Sequence, residues 1–99
     1  MKKYFLLTYL KGKKRDQEEA EAQEIQKGHL AHMDALAAKD KICIAGPFGH
    51  DGNERGIIIF NAYTIEEAEA MAQEDPAVIA GRLTYTLYPI WLAKGSTLY

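Results

Sequence analysis

The feature that most constrains the fold is the order of the secondary-structure signals along the chain. Segments rich in aliphatic and aromatic residues alternate with amphipathic segments in the order strand, helix, strand, strand, helix, strand. The strands are predicted at residues 3–10, 42–45, 57–60 and 83–92, and the helices at 16–38 and 64–73. This order is typical of the split βαβ, ferredoxin-like arrangement. The sequence therefore predicts an α+β fold with an antiparallel four-stranded sheet and two helices on one face.

The helix ends carry recognisable capping signals. Asp16 and Glu19 have the spacing of a capping box, and Thr64 and Glu67 repeat it before the second helix. The segment 75–81 begins Asp-Pro and ends in glycine, which predicts a short helical turn.

One face of the predicted sheet has no cover within a single chain, because two helices can cover only one face. The last strand is nevertheless apolar on both sides, with Leu83, Tyr85, Leu87 and Trp91 alternating with Tyr88, Ile90 and Leu92. A second copy of the chain is the simplest cover. We therefore expect a homodimer in which the two open sheet faces pack together.

Composition excludes several partners. The 99 residues suffice for one domain, expected over 1–99, and the formal net charge of −2 argues against nucleic acid. No segment is long and apolar enough for a membrane span, and no signal peptide is evident. The single cysteine, Cys43, excludes an internal disulfide and is expected in a buried strand. We expect a cytoplasmic protein.

Two histidines lie on the apolar stripe of the first helix, where Ile25, His29, His32 and Leu36 share one face. An imidazole can take and return a proton near neutral pH, so His29 is a candidate general acid and base. The alternative is a core histidine with one hydrogen bond. Asp75 is a candidate for the carboxylate that orients this histidine and also for the N-cap of the turn that begins at Pro76. The two roles are compatible only in part, with one oxygen capping and the other pairing.

A metal site is the weaker interpretation of the same residues. His29 and His32, three positions apart, could share a metal with His50 or Asp75 as third ligand. There is no His-Glu motif or cysteine cluster to support this, so we predict neither metal nor cofactor. His32 is expected to line a substrate pocket. Gly46 and Pro47 are expected beside it, with main-chain amides available to an oxyanion.

The sequence resembles the YCII-related (YciI-like) family. The resemblance rests on His29-Leu30-x-x-Met33-x-x-Leu36, on Ala45-Gly46-Pro47 and on the later elements Thr64-Ile65-Glu66-Glu67-Ala68, Asp75-Pro76 and Pro89-Ile90-Trp91. It implies a dimeric α/β barrel of ferredoxin-like protomers, with an active site of one histidine and one aspartate, here His29 and Asp75. Two positions depart from the family pattern: Asp40 replaces a helix-ending glycine, and His32 is a second histidine.

These observations favour a small cofactor-independent enzyme. We expect isomerase- or lyase-like proton transfer on a small ring-containing or carbonyl substrate, with His29 as the acid and base and Asp75 as its orienting partner. The alternative is a non-catalytic module that binds a small ligand or serves as a dimeric interaction domain.

Overall fold

The chain forms four strands and three helices in a computed structural model that describes residues 1–95. The expected domain continues to Tyr99, and residues 96–99 lie outside the described part. The elements are β1 (Lys2–Lys11), α1 (Glu19–Ala38), β2 (Ile42–Pro47), β3 (Glu54–Phe60), α2 (Ile65–Gln73), α3 (Pro76–Ile79) and β4 (Leu83–Leu92). All strand pairs are antiparallel, in the order β2-β3-β1-β4. The predicted ferredoxin-like α+β fold is confirmed.

The hydrophobic core lies between the helices and one face of the sheet. Side chains of a strand point alternately to its two faces, and the odd positions Phe5, Leu7 and Tyr9 of β1 are buried on the helix side. They pack with neighbours from β3, α1 and α2, namely Ile58, Phe60, Leu36, Ala68, Met71 and Ala72. None of the helices in residues 1–95 combines the length and apolar character needed to cross a membrane.

The opposite face of the sheet carries large apolar side chains that no helix of residues 1–95 covers. Leu6 of β1 lies between Ile59 of β3 and Tyr88 of β4, and these three residues share that face. Tyr88 is 60% exposed. The last strand thus carries an apolar side chain on this face as well, as predicted.

The predicted capping box at Asp16 is wrong, because α1 begins at Glu19, and its N-cap residue Glu18 makes no side-chain capping bond. The preceding segment is held in place by long-range main-chain hydrogen bonds. Gly12 N donates to Arg82 O at 2.8 Å, and Lys14 N donates to Gly81 O at 3.0 Å. Next to Asp16, the Gln17 side chain donates to Ala80 O at 3.2 Å and accepts from Arg82 at 2.9 Å. The segment before α1 is thus tied to the residues that precede β4, and the helix begins only at Glu19.

Strand β2 is an edge strand, which corrects the expectation that Cys43 is buried. β2 pairs only with β3, and the register shifts between Ile42 and Ile44, so Cys43 is exposed. Strand β3 begins at Glu54 rather than Ile57, because Glu54 pairs with β1 and Gly56 pairs with both β1 and β2. The loop between β2 and β3 is correspondingly shorter than predicted.

The other helix ends follow the sequence signals closely. The Thr64 side chain accepts from Glu67 N at 3.2 Å, while the Glu67 carboxylate accepts from Tyr63 N, one residue before the cap. At the end of α1, Asp40 takes the left-handed conformation, with φ of 59°. This is the conformation that glycine adopts most readily, and the resemblance described above implies a glycine at this position.

Candidate active site

Asp75 is the centre of a buried hydrogen-bond cluster. Its Oδ2 accepts from Nδ1 of His29 at 2.6 Å and from the hydroxyl of Tyr9 at 2.7 Å. Its Oδ1 accepts from the main-chain N–H of Ala77 at 2.9 Å. Asp75 is 0% exposed and is the one buried charged residue within 1–95. A buried carboxylate is costly unless it is paired, and these three donors supply the pairing.

The two roles predicted for Asp75 coexist, one on each oxygen. Oδ1 caps the N-terminus of α3, where Pro76 occupies the first helical position. Oδ2 faces His29 and Tyr9. A carboxylate has enough lone pairs for both roles. The short helix α3 therefore fixes the carboxylate in the orientation that the histidine needs.

A close approach of two helices brings His29 to Asp75. Gly28 of α1 packs against Pro76 of α3, and a Cβ atom on Gly28 would lie 3.1 Å from Pro76 Cγ. A larger residue at position 28 would separate the helices, and His29 is the next residue along the chain. Glycine here keeps the two members of the dyad within hydrogen-bond distance.

The cluster holds Asp75 ionised. Burial alone raises its pKa, but hydrogen bonds from His29, Tyr9 and Ala77 outweigh this effect and lower the pKa below its usual value. Burial and the neighbouring carboxylate raise the pKa of Tyr9, so this phenol stays protonated and donates. An ionised carboxylate can only accept, so Nδ1 of His29 carries the proton, and in the neutral ring Nε2 has a free lone pair.

The second ring nitrogen of His29 has no hydrogen-bond partner in the described part of the chain. No described residue hydrogen-bonds to Nε2, and no buried side-chain nitrogen or oxygen in residues 1–95 lacks a partner, so Nε2 reaches solvent. His29 lines a cleft of about 550 Å³ between α1 and the adjoining ends of the four strands. The apolar part of its lining includes Ile25, Leu30, Met33, Ile57 and Leu83. The arrangement presents a proton acceptor at the wall of a largely apolar cleft.

Gly46 and Pro47, the predicted pocket residues at the end of β2, line this same cleft. His32 does not line it, which corrects our expectation. Its Nε2 donates to the main-chain carbonyl of Met71 at 2.8 Å, because the ring points toward α2 instead. Residues three positions apart on a helix point in different directions, so His29 faces the cleft and His32 faces α2.

The structure does not bring the three histidines together. His29 bonds to Asp75, His32 bonds to α2, and His50 is exposed in the loop beside Phe48. Within residues 1–95, no group of three His, Cys, Asp or Glu side chains is placed to hold a metal ion.

Tyr9 is the site residue that sequence reasoning did not single out. Tyr9 belongs to the hydrophobic core and is 4% exposed. Its hydroxyl bonds to Asp75 and its ring packs edge-on against the His29 ring, with centroids 5.4 Å apart. The available signal was its odd position in β1, since a tyrosine buried on a core face needs a hydrogen-bond partner.

Comparison with known proteins gives three results. The family model of the YCII-related domain matches residues 3–94. No curated protein matches the chain. A solved structure that resembles it is 5-chloro-2-hydroxyhydroquinone dehydrochlorinase from Burkholderia phenoliruptrix AC1100, in complex with 2,5-dihydroxybenzoquinone. The two chains are 23% identical, with a TM-score of 0.64 over 89% of this chain and 93% of that one. This likeness shows a shared fold.

Proposed function

Because this chain belongs to the YCII-related domain family, we propose that it is a small cofactor-independent enzyme that moves a proton on a small ring-containing carbonyl substrate. The observation that carries the proposal is the bond between buried Asp75 and Nδ1 of His29, with Nε2 open to the cleft. His29 is the acid and base, and Asp75 orients it.

The proposed reaction is a proton relay at one nitrogen. Nε2 takes a proton from a substrate carbon or hydroxyl, and the ring becomes an imidazolium cation. The ionised Asp75 stabilises that cation through Nδ1 and fixes the ring while it is formed. Nε2 then returns the proton to another atom, which gives isomerisation, or to a leaving group, which gives elimination. Gly46 lines the same cleft, and its main-chain amide is our candidate donor to an oxyanion.

The fold relative supports a ring-shaped substrate. That dehydrochlorinase is in complex with 2,5-dihydroxybenzoquinone, a six-membered ring with two carbonyl groups. A cleft of about 550 Å³ is within the range of small-molecule sites, and its apolar walls suit such a ring.

Two matched variants test the proposal. Substrate probes are chlorinated hydroxyhydroquinones, followed by chloride release, and cyclic ketones, followed by exchange of the α-proton for deuterium. We expect His29→Gln to lose at least 10²-fold in turnover, because general acid–base catalysis contributes about that much. His32→Gln changes a residue on the same helix but outside the cleft, so its turnover should stay close to that of the unaltered protein. Equal loss in both variants contradicts the proposal, and probe binding without turnover favours the ligand-binding module.

We also propose that the protein is a homodimer joined through its open sheet face. The support is the apolar character of that face, where Leu6, Ile59 and Tyr88 lie side by side without a helix over them. Tyr88→Glu should yield monomers in light scattering after size exclusion. Tyr63→Glu, which changes a 91% exposed tyrosine on the helix side, should leave the mass unchanged. A monomeric unaltered protein refutes this proposal.

A further inference from the structure

The cleft beside His29 is lined by positively charged side chains. All three arginines of the chain, Arg15, Arg55 and Arg82, line it, whereas none of its lysines does. No aspartate or glutamate within residues 1–95 lines it either, since Asp75 is buried behind His29. A chain with a formal net charge of −2 thus gathers its guanidinium groups at one site.

Two of these guanidinium groups have no carboxylate partner in residues 1–95. Arg82 donates to the neutral side-chain oxygen of Gln17 at 2.9 Å. Arg15 donates to the main-chain carbonyl of Arg82. Arg55 differs, since it pairs at 2.8 Å with Asp51, whose side chain is 89% exposed. The positive charge at the cleft is therefore only partly compensated.

The other two arginines act on Arg15. Burial lowers the pKa of Arg15, and the positive charges of Arg82 and then Arg55 lower it further, against a smaller opposing effect of Asp51. Like charges that line one cleft repel each other, and a bound anion offsets that repulsion. The planar guanidinium group suits a carboxylate because it can donate two parallel hydrogen bonds.

We propose that the cleft binds a small cyclic carboxylic acid, whose carboxylate is held by Arg15 and Arg82 while its ring lies on the apolar wall beside His29. The inference rests on the proposed function, because it names the substrate class of the same site. Ile25, Met33 and Leu83 supply the apolar wall. The arginines then act as binding residues that hold the ring within reach of Nε2.

Three planar probes of similar size test this on the unaltered protein. Benzoate is anionic, benzamide is neutral and benzamidine is cationic at neutral pH. We expect benzoate to bind at least about tenfold more tightly than benzamide, benzamidine to bind most weakly, and added salt to weaken only benzoate. Amide chemical shifts of cleft residues report the binding. Equal affinity of the three probes, or no benzoate binding at roughly millimolar concentration, overturns the proposal.

Charge-removing variants locate the anion. Arg15→Gln and Arg82→Gln should each lower the affinity for benzoate about tenfold, since each removes a charge-assisted hydrogen bond. The affinity for benzamide should stay unchanged. Arg82→Lys should restore only part of the affinity, because lysine lacks the planar fork. Lys27→Gln is the matched control, since it removes one exposed charge of α1 outside the cleft. Benzoate affinity that is the same in all four variants contradicts the proposal.

The two proposals fail separately. If the dyad is not catalytic, benzoate still prefers the arginine-lined cleft, but His29→Gln leaves turnover unchanged. If the cleft is not an acid site, benzamide competes equally with benzoate, while the His29 ring still shows a proton on Nδ1 by ¹⁵N spectroscopy.

Discussion

Replacing Asp75 by Asn tests the dyad at its charged member, because Asn keeps the shape and removes the charge. The Asn oxygen can still accept from Ala77 N and cap α3. Its amide nitrogen only donates, so it cannot accept from both Nδ1 of His29 and the hydroxyl of Tyr9. We expect the His29 ring to adopt the other tautomer, with Nδ1 accepting and the proton on Nε2.

The structure sets the size of the effect. The substitution removes two hydrogen bonds to a fully buried carboxylate, at 2.6 Å and 2.7 Å. Hydrogen bonds to charged groups contribute about 1.5–3 kcal/mol each, and the new amide recovers part of this. We expect the free energy of unfolding to fall by about 2–4 kcal/mol. Turnover should fall by about 10⁴, the cost of holding a catalytic histidine in the wrong tautomer.

Two measurements check this prediction. Long-range ¹H–¹⁵N correlation spectra at neutral pH assign the proton to Nδ1 or Nε2 of His29 in each protein. Urea unfolding gives the difference in stability. Asp34→Asn is the matched control, an exposed aspartate on α1, and its stability should change by less than about 0.5 kcal/mol.

The stability difference should also depend on pH. The folded protein lowers the pKa of Asp75, so the unfolded chain binds more protons in acid. The stabilisation is present above the unfolded pKa of about 3.9 and is lost as pH falls through the folded pKa. The gap between the unaltered protein and Asp75→Asn should therefore narrow below about pH 4. A neutral His29 already protonated on Nε2 in the unaltered protein, or a gap that is constant with pH, would refute the reasoning.

Three further substitutions have defined outcomes, each measured by thermal or urea unfolding. Tyr9→Phe removes the hydroxyl that donates to Asp75 and should lower the free energy of unfolding by about 1.5–3 kcal/mol. Tyr4→Phe, on the opposite face of β1, should lower it far less. Asp40→Gly should stabilise the protein by about 0.5–1 kcal/mol, because φ is 59° at that position; no gain would show that the aspartate is not strained. Gly12→Ala places a Cβ atom 2.0 Å from Gly81 O and should cost about 3 kcal/mol, while Gly49→Ala meets nothing within 4 Å and should be near neutral.

The fold was predictable because its signals are local and repeated. The aliphatic and aromatic run of β1, the cap at Thr64 and the Asp75-Pro76 turn each determine their own element. The order of elements then leaves few topologies to consider. The capping box at Asp16 failed for the opposite reason, since Gln17 beside it bonds to Ala80 and Arg82, and contacts so far along the chain leave no local signal.

The candidate site was predictable only where one residue type carries its own chemistry. A histidine on an apolar stripe is a signal in one sequence, but periodicity places His29 and His32 on the same stripe and cannot tell which one reaches a cleft. The arginine cluster could not be predicted, because Arg15, Arg55 and Arg82 come from three separate segments of the chain. Only the folded protein brings these three residues to one cleft. Residues that are far apart in the sequence and meet only in the fold produce no periodic pattern in the sequence.

The dual use of Asp75 links the stability of a small element to the chemistry of the site. A helix as short as α3 does not form on its own, so it depends on the cap from Oδ1 and on packing against α1 through Gly28 and Pro76. The same packing holds His29 at 2.6 Å from Oδ2. Any change that loosens α3 must therefore also loosen the dyad, even where it touches neither member. Asp75→Asn changes both the docking of α3 and the protonation state of the His29 ring. A variant at position 28 that folds normally but loses the His29–Asp75 hydrogen bond would change the docking alone, and would thus separate the two effects.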